Sequence, residues 1–287
     1  MNRRPNIHDR LTRLGLTLSK RGWQRYGSDV HAAFYEDFFT DKHLRQELYD
    51  LRHRLRRQAV LETLDDLFQR PDPILVLDVA CGVGGTARAV AERARVVALV
   101  YSEADVRLAN SLAAGMVRFV RGQAERLPLR ADSIDAAICL EVLEHLPDDR
   151  QALVELHRVL RSGGRLVVSV PSNFYFPEYH ELIGHYRHYA REGLGELLAA
   201  TGFRILSYVD NRPRLQALHW YPYMMLEAVH QALNGCGVTS PSMYQRCLTG
   251  GLYRFACKFL LGVAPKRAQA ALASDPRSTF VVAEKSR

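Results

Sequence analysis

The run Leu77-Asp78-Val79-Ala80-Cys81-Gly82-Val83-Gly84-Gly85-Thr86-Ala87 constrains this chain more than any other stretch. It closes an apolar run, Ile74–Val79, of the kind a parallel strand buried on both faces requires, and it opens a helical pattern over Thr86–Arg93. Small residues are needed where backbone must turn sharply and approach a ligand closely. The start of a helix also offers N–H groups that have no intrahelical partner. Read as G-x-G-x-x-A, Gly82, Gly84 and Ala87 match a permitted form of the dinucleotide fingerprint. That reading requires an acidic residue about twenty positions on, at the end of the second strand. Leu99, Val100 and Tyr101 stand there, and none is acidic.

The surrounding pattern sets the loop in an α/β frame. Further strands are predicted at Arg95–Tyr101, Val117–Arg121, Ser133–Leu140 and Arg165–Val170, with helices at Glu103–Ala113 and Asp148–Leu160 between them. This alternation predicts right-handed crossovers and a doubly wound, mostly parallel sheet. A helix at Arg191–Thr201 and strands at Phe203–Val209 and Thr279–Ala283 complete it. Ahead of the sheet, Asp41–Phe68 carries Leu44, Leu48, Leu51, Leu55, Val60, Leu61, Leu64 and Leu67 near helical spacing, with Arg52, Arg54, Arg56 and Arg57 between them. Pro71 and Pro73 stop that helix. Residues 1–70 are therefore read as a helical extension, and 71–210 with 278–287 as the sheet domain. Residues 211–277 hold two aromatic-rich helical stretches, Leu215–Leu233 and Met243–Leu261, and are read as an inserted lid or cap before the last strand.

Composition bounds the class of protein. The chain has 287 residues, 47% of them apolar and 24% charged, which suits a globular protein with a sizeable core. Neither a secretory signal nor a spanning helix is expected. Five cysteines without a C-x-x-C pair argue for reduced thiols and a cytoplasmic setting. The net charge of +8 raises nucleic acid as a partner, but the basic residues are spread rather than blocked.

From Ile74 to Phe203 the chain resembles class I S-adenosylmethionine-dependent methyltransferases, whose domain is Rossmann-like. The resemblance rests on four motifs in order. Leu77 to Gly84 is similar to the family's first motif, and Gln123-Ala124-Glu125-Arg126-Leu127-Pro128-Leu129 to its adenine-side loop. Ser133-Ile134-Asp135-Ala136 through Glu141-Val142-Leu143-Glu144-His145-Leu146 is similar to its fourth strand and following loop. Leu160 to Leu166, with Gly163 and Gly164, is similar to the turn into its fifth strand. The resemblance implies that S-adenosylmethionine is the cofactor and that Asp78, Ala80, Gly82, Gly84, Gln123, Ala124 and Leu140 contact it. It also implies an acidic residue on the ribose hydroxyls, where this chain has Val100. Such a lost charge-assisted bond is worth about 1.5–3 kcal/mol, unless Ser102 or Glu103 reaches back.

On the acceptor side, His145 is the candidate acid/base residue. Asn173, Tyr175, His185 and Arg187, after the fifth strand, are candidates for holding the acceptor. Glu141, Glu144 and His145 form E-x-x-E-H; ubiquinone-type and small-RNA 2′-O-methyltransferases contain a similar string that holds a divalent metal. No metal is assigned to this chain on that basis. The reading that follows is methylation, at oxygen, of a small molecule or a lipid- or glycan-pathway intermediate. RNA methylation and donor binding without catalysis stand as alternatives.

Overall fold

Side chains alternate between the two faces of a strand, so a run that is apolar at every position must be covered on both sides. The computed structural model describes residues 51–101, 103–113, 115–172, 185–209 and 278–286 and meets that requirement. Helices α1 (Leu51–Thr63) and α2 (Asp65–Phe68) precede strand β1 (Leu75–Val79). Then come α3 (Gly85–Ala91), β2 (Arg95–Val100), α4 (Glu103–Ala113), β3 (Arg118–Arg121) and β4 (Ile134–Leu140). A short 3₁₀ turn (Leu143–His145), α5 (Asp149–Val159), β5 (Leu160–Pro171), α6 (Arg191–Ala200), β6 (Phe203–Val209) and β7 (Ser278–Lys285) follow.

The seven strands form one sheet in the order β3-β2-β1-β4-β5-β7-β6. Strands β1 to β5 run parallel, and β7 is antiparallel to both its neighbours. Val76 packs in one layer with Ala59, Val60, Leu64, Ala87 and Val90. Leu77 and Val79 pack in the other with Leu153, Leu156, Leu194 and Leu198. The mostly parallel, doubly wound sheet expected from the sequence is the one found. The chain leaves β1 toward β2 on one side, while β4 lies on the other, so their carboxyl ends diverge and form the crevice such sheets use for ligands.

Three details differ from the sequence reading. The continuous helix expected to Phe68 breaks at Leu64, whose φ of −96° and ψ of 3° leave the helical region. The turn expected at Leu160–Gly164 is carried as strand. Leu160 pairs with Ile134 before the register shifts to Arg165 opposite Ala136, with Gly163 at φ 71°. Residues 51–68, grouped by sequence with an N-terminal extension, share the core of β1 and α3. Arg165 anchors them, donating to the Thr63 carbonyl at 2.7 Å and pairing with Asp66. Residues 1–50 and the insert 211–277 lie outside the described residues. Among the described residues, no helix is long and apolar enough to cross a membrane, and Cys81 and Cys139 are free thiols.

Candidate functional site

The loop after β1 is built from backbone rather than side chains. Ala80, Gly82 and Gly84 all adopt positive φ, at 50°, 54° and 78°. Two of these positions are glycine because a Cβ disfavours that region, while Ala80 accepts it. The loop is tied down by Cys81 N–H donating to Leu99 O (3.1 Å) and Gly84 N–H to Cys81 O (2.9 Å). Arg88 Nη1 donates to Val83 O (2.6 Å). A Cβ on Gly84 would lie 2.8 Å from Phe119 Cζ, so the ring of β3 leaves no room for one. Asp78, just before the loop, is buried.

At the end of β2, Val100 is buried and its carbonyl accepts from Gly122 N–H (3.0 Å). Glu103 at the head of α4 pairs with Arg107 (2.8 Å) and Arg121 (3.4 Å). Ser102 lies outside the described residues. The loop holding Gln123, exposed, and Ala124, buried, is pinned from α5. Leu127 N–H donates to Glu155 Oε2 (2.8 Å), and Arg158 donates to Leu127 O (3.1 Å) and Leu129 O (2.9 Å). Arg158 also grips Glu155, which holds that carboxyl below the usual glutamate range.

Beyond β4 the chain turns abruptly. Leu140 is half-buried, and Glu141 adopts φ 54°. Three contacts hold Glu141 there. Its N–H donates to Ser169 O (2.7 Å), Ser169 Oγ donates to its Oε1 (2.6 Å), and Arg56 Nη2 sits 2.9 Å from its Oε2. Arg56 is itself buried, because it lies on the face of α1 that carries Ala59 and Val60. Glu144, in the 3₁₀ turn, is fully buried. Burial pushes its carboxyl well above the ordinary range, and Glu141 adds to the effect. His145 follows, its ring edge-on to His185 at 4.4 Å between centroids.

His185 comes from the segment after β5, which is fastened to this turn. Tyr186 N–H donates to Glu144 O (2.8 Å), and Arg187 Nη2 donates to Pro147 O (2.8 Å). Arg187 also pairs with Asp149 (3.1 Å), which accepts from Tyr189 OH (2.8 Å). The structure thus brings His145, Glu144 and His185 together, while the Arg187 guanidinium anchors the segment. Asn173 and Tyr175 lie outside the described residues. Sequence reasoning did not single out Arg56, Ser169, Glu155 or Arg158 as parts of the site. Glu155 and Arg158, three apart on one helix, were in principle findable. Arg56 read as one of several arginines on a polar face.

Residues 77–168 match the family described as methyltransferase domain. Over these residues the chain has a methyltransferase domain like those of class I S-adenosylmethionine-dependent methyltransferases. An O-methyltransferase of Pyrenophora dematioidea is 32% identical over 176 residues, covering 56% of this chain and 65% of the relative. A 2-methyl-6-phytyl-1,4-hydroquinone methyltransferase of Synechocystis is 31% identical over 194 residues, covering 62% and 59%. The chain thus spans less than two thirds of the length of these two curated relatives. The solved structure of a candidate sarcosine dimethylglycine methyltransferase from Galdieria sulphuraria has the same fold, with a TM-score of 0.56 at 17% identity, covering 82% of this chain and 85% of that one. The matched segment ends one residue before Ser169, so Arg56, Ser169 and the His185 segment lie outside it.

Proposed function

We propose that this protein transfers the methyl group of S-adenosylmethionine to an oxygen of a small-molecule or lipid- or glycan-pathway acceptor. The observation that carries the reading is the crevice between the carboxyl ends of β1 and β4. It has a side-chain-poor loop with three positive-φ residues on one side and the braced Glu141 turn on the other. A backbone-lined loop beside the buried Asp78 suits a ligand with a charged amino-acid portion and a nucleoside, and the family match supports that donor. The relatives named as an O-methyltransferase and a hydroquinone methyltransferase support a small oxygen-bearing acceptor.

Bound in that crevice, S-adenosylmethionine supplies a methyl group on a sulfonium: the acceptor oxygen forms a C–O bond as the S–C bond breaks. The protein's share of the work is mainly to hold the two in line. Asp78, Ala80, Gly82 and Gly84 take the amino-acid side of the donor, Gln123 and Ala124 the adenine, and the end of β4 at Leu140 the middle. His145, with His185 and Arg187 beside it, lies on the side left for the acceptor, where an imidazole can take the hydroxyl proton. Asn173 and Tyr175 are assigned to the same acceptor side.

Calorimetry with S-adenosylmethionine, S-adenosylhomocysteine and NAD, followed by a labelled-methyl screen of extracts, tests the reading. Binding of both donor forms and label transfer to a small molecule are expected. NAD binding without any response to the methyl donor overturns it. If His145 is the base, His145→Ala lowers turnover by about two to four orders of magnitude.

A further inference from the structure

We propose that Val100 makes the donor crevice indifferent to the ribose hydroxyls, so that S-adenosyl ligands built on a deoxyribose bind as well as those built on ribose. The inference rests on the donor reading above and concerns the specificity of that same site. In nucleotide-binding crevices of this topology, an acidic side chain at the end of the second strand accepts from the ribose hydroxyls. The register of the sheet puts Val100 at that place. Val79 of β1 pairs with Leu99 of β2, so Val100 lies one residue further on, level with Ala80, where the glycine loop begins. Cys81 N–H donates to Leu99 O (3.1 Å), which ties the loop to the end of β2.

The acceptors at that end are engaged within the protein. The Val100 side chain is apolar and buried. The carbonyls of Leu99, Val100 and Tyr101 accept, in turn, from Cys81 N–H, from Gly122 N–H (3.0 Å) and from Arg121 Nε (3.3 Å). Glu103 is the next acid along the chain, and cations hold both of its oxygens. One lies 2.8 Å from Arg107 Nη1 and the other 3.4 Å from Arg121 Nη1. Arg121 pairs in register with Val100, so one guanidinium binds both the end of β2 and the head of α4. A charge-assisted bond to a carboxylate contributes roughly tenfold to over a hundredfold in affinity. A second, neutral bond to a carbonyl that already accepts contributes only about a few-fold. Affinity for the donor then comes from its adenine and amino-acid ends, and removing a ribose hydroxyl takes little away.

Calorimetry on the full chain with S-adenosylhomocysteine and with its 2′-deoxy and 3′-deoxy forms tests this. Both deoxy forms are expected to bind within about fivefold of the parent compound, and a larger loss with either one overturns the proposal. Val100→Asp puts an acid at the same place and should favour the parent over the deoxy forms by about tenfold or more. Thermal unfolding establishes that this variant is folded. A folded Val100→Asp protein that binds all three compounds alike shows that position 100 does not decide the matter, and overturns the assignment. Should the new carboxylate unfold the protein, the wild-type comparison decides alone. Glu103→Gln should leave the ratios between the three compounds as they are in the wild type. A ratio that shifts beyond about fivefold in that variant gives the ribose to Glu103 and overturns the proposal. Failure of S-adenosylhomocysteine itself to bind overturns the donor reading and this inference with it, whereas tight binding with strong discrimination overturns the inference alone.

Discussion

Arg56 in α1 reaches across the sheet to Glu141 at the end of β4, placing Nη2 2.9 Å from Oε2 with only 7% of its own side chain exposed. The pair joins the first described helix to the left-handed turn that follows β4. Arg56→Met keeps the apolar stem and removes the charge. Stability should fall by about 1–3 kcal/mol, less than for a fully buried pair because Glu141 keeps Ser169 and is 27% exposed. Urea unfolding measures the loss, and donor affinity should fall with it. A variant as stable as wild type would show the pair to be incidental.

Gly84→Ala places a Cβ against Phe119 at a φ of 78°. The left-handed conformation alone costs a non-glycine residue about 1–2 kcal/mol. S-adenosylhomocysteine binding should weaken about tenfold or more, as calorimetry can measure. Adding Phe119→Leu relieves the ring contact but not the backbone strain, so recovery should be partial. Full recovery would locate the whole effect in the ring.

Glu103 is the acidic residue nearest the place where the family's ribose carboxylate is expected, but it pairs with Arg107 and Arg121 on the surface. Glu103→Gln should therefore change donor affinity less than about threefold, since exposed pairs contribute little. A tenfold loss would mean that the head of α4 rearranges to reach the donor.

Glu155 couples α5 to the Gln123–Ala124 loop through Leu127 N–H and Arg158. Its folded pKa is depressed, chiefly by the Arg158 hydrogen bond. The stability it contributes is thus present above the unfolded glutamate value of about 4.3 and is lost as pH falls through the lower folded value. Glu155→Gln should be less stable than wild type by about 1–2 kcal/mol at neutral pH. That gap should shrink below about pH 4.3 and go on closing as pH falls through the lower folded value. Urea unfolding at pH 7, 5 and 3 checks this, and a gap independent of pH would assign the effect to shape rather than charge.

Much of the frame was legible along the chain because it follows from local rules. Ile74–Val79 is apolar on both faces but for Asp78, which demands cover on two sides, and β1 is found between two layers. The glycines at 82 and 84 marked backbone that must pass through positive φ, and it does. The helix Glu103–Ala113 and the strand Phe203–Val209 have the bounds that periodicity predicted. Periodicity and turn chemistry are properties of neighbours in sequence, so no tertiary information was needed to see them.

The partners of the site were not legible, because each is set by packing between residues far apart in the chain. Arg56 looked like one surface arginine among four until α1 turned its 56-59-60 face onto the sheet. Glu141 and Glu144 looked equivalent in E-x-x-E-H. The three-residue turn points one at Arg56 and Ser169 and buries the other beside His185, which lies forty residues on. Sequence alone determined the succession of strands and helices and the loop after the first strand, while the strand order and the antiparallel β7 came from the tertiary structure. Tertiary structure decided which carboxylate is paired and which is buried, because desolvation depends on every element that packs against a group.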